Sequence, residues 1–339
     1  MLFAKRLHGK DAGPPKTRPL SDHFDGNRFF NPTLPKGFAP SPGSIFKMVR
    51  EPRGRWPDWV ENKGTPRLNE TLTAGDVAIT FINHATFLIQ TDGITILTDP
   101  VWSERASPFR RIGPKRVRKP GVAFEDLPTI DIILLSHNHY DHLDTATLTQ
   151  LRQSFAPTVI AAAGDARIVR PLGFKDMHEL DWWNELQIND MHKITFVPAQ
   201  HFSARGPLDR QQSLWGGYMI ETFGRLVYFA GDMGYSTHFS DIKTRLGAPD
   251  IAMLGIGAYE PRWFMKPLHM NPEEAVNAHR DLGSKQSIGM HFGTFQLTAE
   301  AIDQPRKDLT RALSEASIPE TEFVTLDEGE TRIYRADLP

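Results

Sequence analysis

In the run Ile130-Asp131-Ile132-Ile133-Leu134-Leu135-Ser136-His137-Asn138-His139-Tyr140-Asp141-His142, a largely apolar segment passes directly into four metal-competent side chains within six residues. Ile130–Leu135 predicts a strand buried on both faces, because its apolar residues do not alternate with polar ones. Loops beyond strand ends are where a rigid scaffold displays chemistry. His137 and His139 alternate around an extended turn and can point to one side. Asp141 and His142 follow where the chain turns toward a helix, so they can face a second ion. Imidazole and carboxylate without thiolate suit zinc, and also manganese or iron. A polar loop of satisfied histidines is the competing reading. Zinc takes about four ligands, so one motif cannot complete two sites and later loops must contribute.

Working outward, short β-rich runs cover Val77–Ile82, Thr86–Gln90 and Ile94–Thr98, and Asp92-Gly93 marks a hairpin between the last two. Asp144 predicts the cap of a helix to about Gln153. Further strands are expected at Thr158–Ala162, Ile194–Pro198, Leu214–Glu221, Leu226–Ala230, Ile251–Leu254, Ser287–Met290, Phe323–Leu326 and Thr331–Tyr334. Helices are expected at Phe239–Leu246, from Asn271-Pro272-Glu273-Glu274 to about Leu282, and over Glu300–Glu315. The class is mixed α and β in packed layers. His201, Asp232 and His291 each follow a predicted strand end, which singles them out as further ligands. His8, His23, His178, His192, His238 and His279 lack that context and read as ordinary.

The first 70 residues differ. They hold ten of the 26 prolines, yet also Phe24, Phe29, Phe30, Phe38, Phe46, Trp56 and Trp59. Proline predicts extended or turn-rich chain, and the aromatics predict packing. We therefore expect an irregular arm over 1–70 laid on a catalytic domain over 71–339, with a membrane or partner surface as the alternative. The 339 residues are 40% hydrophobic and 24% charged, with a formal charge of −2. That is a globular composition with no basic excess for nucleic acid. Cysteine is absent, which excludes disulfides, thiolate metal sites and cysteine nucleophiles. No run reaches the roughly 18 apolar residues of a spanning helix. The start Met1–Arg6 turns basic at once, unlike a secretory signal. A cytoplasmic protein is expected, with peripheral membrane contact and a homodimer left open.

Several longer runs together resemble the metallo-β-lactamase-fold hydrolases, most closely the N-acyl-phosphatidylethanolamine-hydrolysing phospholipase D group and its bacterial relatives. They are Thr98-Asp99-Pro100, Arg105-Ala106-Ser107-Pro108, Gly113-Pro114-Lys115-Arg116, the metal motif, Glu179-Leu180-Asp181-Trp182-Trp183, Ala230-Gly231-Asp232, Ile256 to Met265, Pro272-Glu273-Glu274-Ala275 and His291-Phe292-Gly293-Thr294-Phe295. The likeness runs from about Val77 onward. It implies an α/β αββα sandwich: two central mixed β-sheets, outer helices and metals at one edge. It implies two zinc ions, one on His137, His139 and His201, the other on Asp141, His142 and His291, with Asp232 bridging. His84 and Asp99 would lie behind them, and His269 near the substrate. Asn83 departs from a family glycine, and Leu268 from a polar residue of the lipase relative.

The resemblance thus implies a binuclear phosphodiesterase acting on a phospholipid-like substrate through metal-bound hydroxide, with Asp141 or a metal-bound water moving protons. Arg262, Lys115 and Arg116 are candidate phosphate binders, against a reading as solvated charges. Trp182, Trp183, Trp263, Phe264 and Met265 are candidate walls of an acyl groove, against a reading as core. A metal-dependent lactonase of the same fold is the alternative, and a non-catalytic binding module is disfavoured by the full ligand set.

Overall fold

The computed structural model describes residues 18–35 and 37–336. Met1–Arg6, His8, Pro14 and Pro15 lie outside them. Two tight turns fold β1 (Val77–Asn83), β2 (Thr86–Thr91) and β3 (Ile94–Thr98) into an antiparallel meander. Gly93 takes φ +86° in the second turn, the left-handed region that glycine enters without a Cβ clash. β4 (Ile132–Leu135), β5 (Thr158–Ala162) and β6 (Met177–Leu180) then add in parallel, with α2 (Thr145–Ser154) and α3 (Ala166–Val169) in the connections. Strand β4 starts at Ile132, two residues later than expected, with exposed Asp131 just before it also accepting the Thr95 N–H on its side chain at 2.8 Å. β14 (Thr331–Tyr334) closes this sheet against β1.

The second sheet repeats the plan. β7 (Glu185–Asn189), β8 (His192–Val197), β9 (Gly217–Thr222) and β10 (Arg225–Phe229) are antiparallel. β11 (Ile251–Gly255), β12 (Gln286–Met290) and β13 (Phe323–Val324) continue in parallel. The strand orders β14-β1-β2-β3-β4-β5-β6 and β7-β8-β9-β10-β11-β12-β13 therefore match position by position. Along β4, Ile132 and Leu134 enter the core shared with the second sheet, whereas Ile133 and Leu135 join Leu148 and Leu151 of α2 on the outer face. α4 (His238–Leu246), α5 (Arg262–Met265), α6 (Pro272–Leu282) and α7 (Gln304–Ala316) follow strands of the second sheet, and Phe239, Val276 and Leu313 carry α4, α6 and α7 into its core. Buried Tyr218 of β9 donates to the carbonyls of Leu135 and Ile160, tying the sheets together.

Some expectations shift. The arm holds a helix, α1 (Pro42–Val49), capped by the Ser41 side chain on the Ser44 N–H. β6 and β7 were not foreseen. Helix α7 begins at Gln304 rather than Glu300, whose carboxylate instead accepts from the Ala258 and Glu260 N–H groups. Strand β9 starts at Gly217, three residues after Leu214.

Candidate metal centre

Matching strand ends of the two sheets meet at one edge. His84 follows β1 and Asp99 follows β3. His201 lies beyond β8 and Asp232 beyond β10, the equivalent strands of the second sheet. The motif His137–His142 follows β4, and His291 follows β12. His84, Asp99 and His291 have φ of +48°, +33° and +64°. Non-glycine residues rarely hold such angles, and strain of that kind gathers at functional sites.

The side chains form two groups joined by Asp232. In the first, His139 Nδ1 lies 2.9 Å from His137 Nε2 and 3.3 Å from His201 Nε2. Asp232 Oδ2 completes it, 3.8 Å from His137 Nε2 and 3.7 Å from His201 Nε2. In the second, His142 Nε2 is 3.2 Å from Asp232 Oδ2 and 3.6 Å from Asp141 Oδ2. His291 Nε2 is 3.2 Å from Asp232 Oδ1 and 3.4 Å from Asp141 Oδ2. His84 Nε2 reaches Asp141 Oδ2 at 3.0 Å.

Outer partners fix which nitrogen faces inward. Asp99 accepts from the Ser136 N–H at 2.8 Å, the Ser136 hydroxyl at 2.6 Å and His142 Nδ1 at 2.7 Å. With its proton directed to Asp99, Ser136 Oγ accepts from His137 Nδ1 at 2.9 Å. His201 Nδ1 donates to the Leu268 carbonyl at 2.9 Å. His137, His142 and His201 therefore turn Nε2 to the centre, as metal-ligating histidines do, whereas His139 turns Nδ1 to it.

The donor set fits cations. His142 Nε2, His291 Nε2 and Asp232 Oδ1 are buried without a hydrogen bond and converge on one another. Burial alone would raise Asp141 and Asp232, but neighbouring imidazoles, His142 foremost, hold both carboxyls well below their usual range. Burial pushes His137 and His201 well down and His139 to about 4, so these rings are neutral donors. Against their burial, the same two carboxylates hold His142 well above its ordinary value and His291 at about 9, so this buried group draws positive charge that bound cations would supply instead of protons. One ion would be held by His137, His139, His201 and Asp232, the other by Asp141, His142, His291 and Asp232.

The seven expected ligands thus come together, with His84 and Asp99 in contact behind them. His269 stands beside them, its Nε2 4.0 Å from Asp232 Oδ2, and burial lowers it to about 4. Arg262 donates to the His269 carbonyl at 2.9 Å and to Glu274 at 2.7 Å, so it braces His269. Trp263 is exposed and bonds Glu51, and Phe264 is half-buried beside it. Arg116 is buried on the carbonyls of Val101 and Ser103, and Lys115 pairs with Glu104. Trp182 is core, bonding the Trp215 carbonyl, while half-buried Trp183 packs under Arg245. Leu268 is buried, so its side chain joins the packing. Sequence reasoning missed Ser136 and Asn31, whose hydrogen bonds to ligand rings or backbone leave no local signature.

Residues 95–292 match the family described as the Beta-lactamase superfamily domain. The chain belongs to that superfamily. It is a metal-dependent hydrolase of the β-lactamase fold. N-acyl-phosphatidylethanolamine-hydrolyzing phospholipase D 1 of Caenorhabditis elegans is 35% identical over 333 residues, covering 90% of this chain and 92% of its own. The mitochondrial enzyme of that name from Saccharomyces cerevisiae is 37% identical over 64% of this chain, which spans 48% of the yeast protein. Among solved structures, the metallo hydrolase Igni18 of Ignicoccus hospitalis superposes with a TM-score of 0.60 at 22% identity, over 77% of this chain and 100% of that one.

Proposed function

We propose that this chain hydrolyses a phosphodiester bond in an N-acyl-phosphatidylethanolamine-type lipid at a two-ion centre. Asp232 carries the binuclear part of this reading: Oδ1 faces His291 while Oδ2 faces His137, His142 and His201. The substrate class rests on the likeness to the nematode and yeast enzymes. Zinc, manganese or iron held by these seven residues would supply Lewis acidity toward a phosphoryl oxygen and make water nucleophilic at neutral pH.

The chain's own groups have separate tasks. Asp141, oriented by His84 Nε2, would take a proton from the attacking water. His269, braced by Arg262, edges the centre, where its neutral ring can hydrogen-bond the phosphodiester at Nε2, and the proton taken by Asp141 is the one returned to the leaving oxygen. Trp263 and Phe264, which touch each other on α5, would offer apolar surface for an acyl chain, each buried methylene adding about 0.8 kcal/mol. Contact with an anionic lipid surface belongs to the proposal. It is supported by exposed Ile45, Phe46 and Val49 with Lys47 on α1, and by exposed Phe109 and Ile112 around Arg110 and Arg111. Among the described residues no helix is long and apolar enough to cross a membrane.

The test compares a fluorogenic N-acyl phosphatidylethanolamine, bis(p-nitrophenyl) phosphate and an acyl homoserine lactone, with and without chelator. The lipid should turn over fastest, the simple phosphodiester slowly, and chelator should stop both until zinc or manganese is returned. Faster turnover of the lactone would replace the phosphodiesterase reading with a lactonase one.

A further inference from the structure

The three-histidine group is clasped from outside the matched superfamily region. The arm crosses the loop that carries His201. There Asn31 Nδ2 donates to the His201 carbonyl at 2.7 Å, and the His201 N–H donates to Asn31 Oδ1 at 3.2 Å. One buried carboxamide thus satisfies both backbone groups of a ligand residue. The clasp continues on either side. The Phe29 N–H donates to the Gln211 carbonyl at 2.8 Å, and the Thr33 hydroxyl donates to Gln200 Oε1 at 2.5 Å. Gln200 in turn donates to the Pro267 carbonyl at 2.8 Å, next to the Leu268 carbonyl that orients the His201 ring.

His201 needs this support because strand-like pairing stops one residue before it, at the bridge between Gln200 and Gly234. β8 ends at Val197, and the chain from Phe202 to Ala204 is irregular. A buried N–H and C=O without ladder partners must be paired elsewhere, and Asn offers one donor and one acceptor in the spacing of a peptide group. We infer that Asn31 is a positioning residue for metal binding: the arm, through Asn31, sets the backbone of His201 and hence the affinity of the three-histidine ion. Outer partners of ligands typically tune metal affinity by about ten- to a hundred-fold.

The inference rests on the two-ion reading, and a zinc titration separates them. The full-length wild-type, Asn31→Ala, Asn31→Asp and Thr33→Val proteins are stripped of metal and titrated against a chromogenic chelator. The wild type should bind two equivalents. Asn31→Ala should weaken one by about ten- to a hundred-fold and leave the other unchanged. Asn31→Asp keeps the acceptor and loses the donor, so it should fall between. Thr33→Val, which reaches His201 only through Gln200 and Pro267, should weaken the same equivalent by less than Asn31→Ala. Cobalt loading gives a second readout, since a displaced His201 alters the visible spectrum of that ion. Should Asn31→Ala fail to fold, Asn31→Asp alone decides. Two wild-type affinities and an unchanged cobalt spectrum in the folded Asn31 variants would overturn the inference while leaving the two-ion reading intact. A wild type that binds no metal would remove both.

Discussion

At the residue scale, one carboxylate spans the centre: Asp232 reaches both ligand groups, with His291 3.2 Å from Oδ1 and His201 and His137 3.7 and 3.8 Å from Oδ2. Asp232→Asn keeps the shape and removes the charge that, on the two-ion proposal, is shared between two cations. Turnover of bis(p-nitrophenyl) phosphate should fall by roughly 10³-fold, and one metal equivalent should be lost on mild dialysis. Wild-type turnover at saturating metal would refute the bridging role. Asp99 acts one shell further out, holding His142 Nδ1 and Ser136. Asp99→Asn should weaken the ion on Asp141, His142 and His291 by about ten-fold or more, read by chelator competition. An unchanged affinity would make Asp99 a packing residue only. That the seven expected side chains gather in one place was legible in sequence because donor type and strand-end placement are local signals. Arg262 and Arg116 were not, since a guanidinium that braces carbonyls is spelled the same way as one that binds phosphate.

At the scale of elements, the same contrast between local and distant causes holds. Helix α6 was readable end to end. Asn271 accepts from the Glu274 N–H, Glu274 returns a bond to the Asn271 N–H, Pro272 opens the helix and Gly283 closes it at φ +65°. Edge strands β6 and β7 were unreadable, because they are short, polar and half exposed, and take their form from the neighbour they pair with. Helix α1 was hidden among prolines, and no residue in it is buried. The capping box yields a direct expectation. Asn271→Ala should lower unfolding free energy by about 1 kcal/mol, seen as a lower denaturant midpoint with an unchanged slope. The Glu274 partner also holds Arg262, which holds His269. The variant should therefore also blunt turnover modestly while leaving both metal equivalents in place. An unmoved midpoint would show that packing of α6 against β11 and α7 fixes its start without the cap.

Across the whole molecule, two sheets of the same strand order face each other, and the centre forms where corresponding strand ends meet. Sequence runs cannot show that correspondence, because pairing between distant strands is set by which faces bury each other. The same burial leaves a titration signature. His238, at the start of α4, has Nδ1 2.5 Å from the Ser236 hydroxyl and Nε2 3.2 Å from the Met233 sulfur, with Phe239 against its ring. Burial with no acidic partner pushes it down to about 3. An unfolded histidine titrates near 6.5. Between those values the unfolded chain holds a proton that the folded chain refuses. Stability is therefore full above about pH 6.5 and falls as pH drops, by about 1.4 kcal/mol per unit for this one group, levelling off near pH 3. His238→Phe keeps an aromatic ring there and removes the proton site. Unfolding free energies measured in urea from pH 8 to pH 4, with chelator present so that metal release adds nothing, should give a shallower acid limb for the variant. The other buried histidines titrate alike in both proteins and cancel in the difference. Parallel curves for the two proteins would mean that His238 is protonated in the fold or reached by water, contrary to its packing.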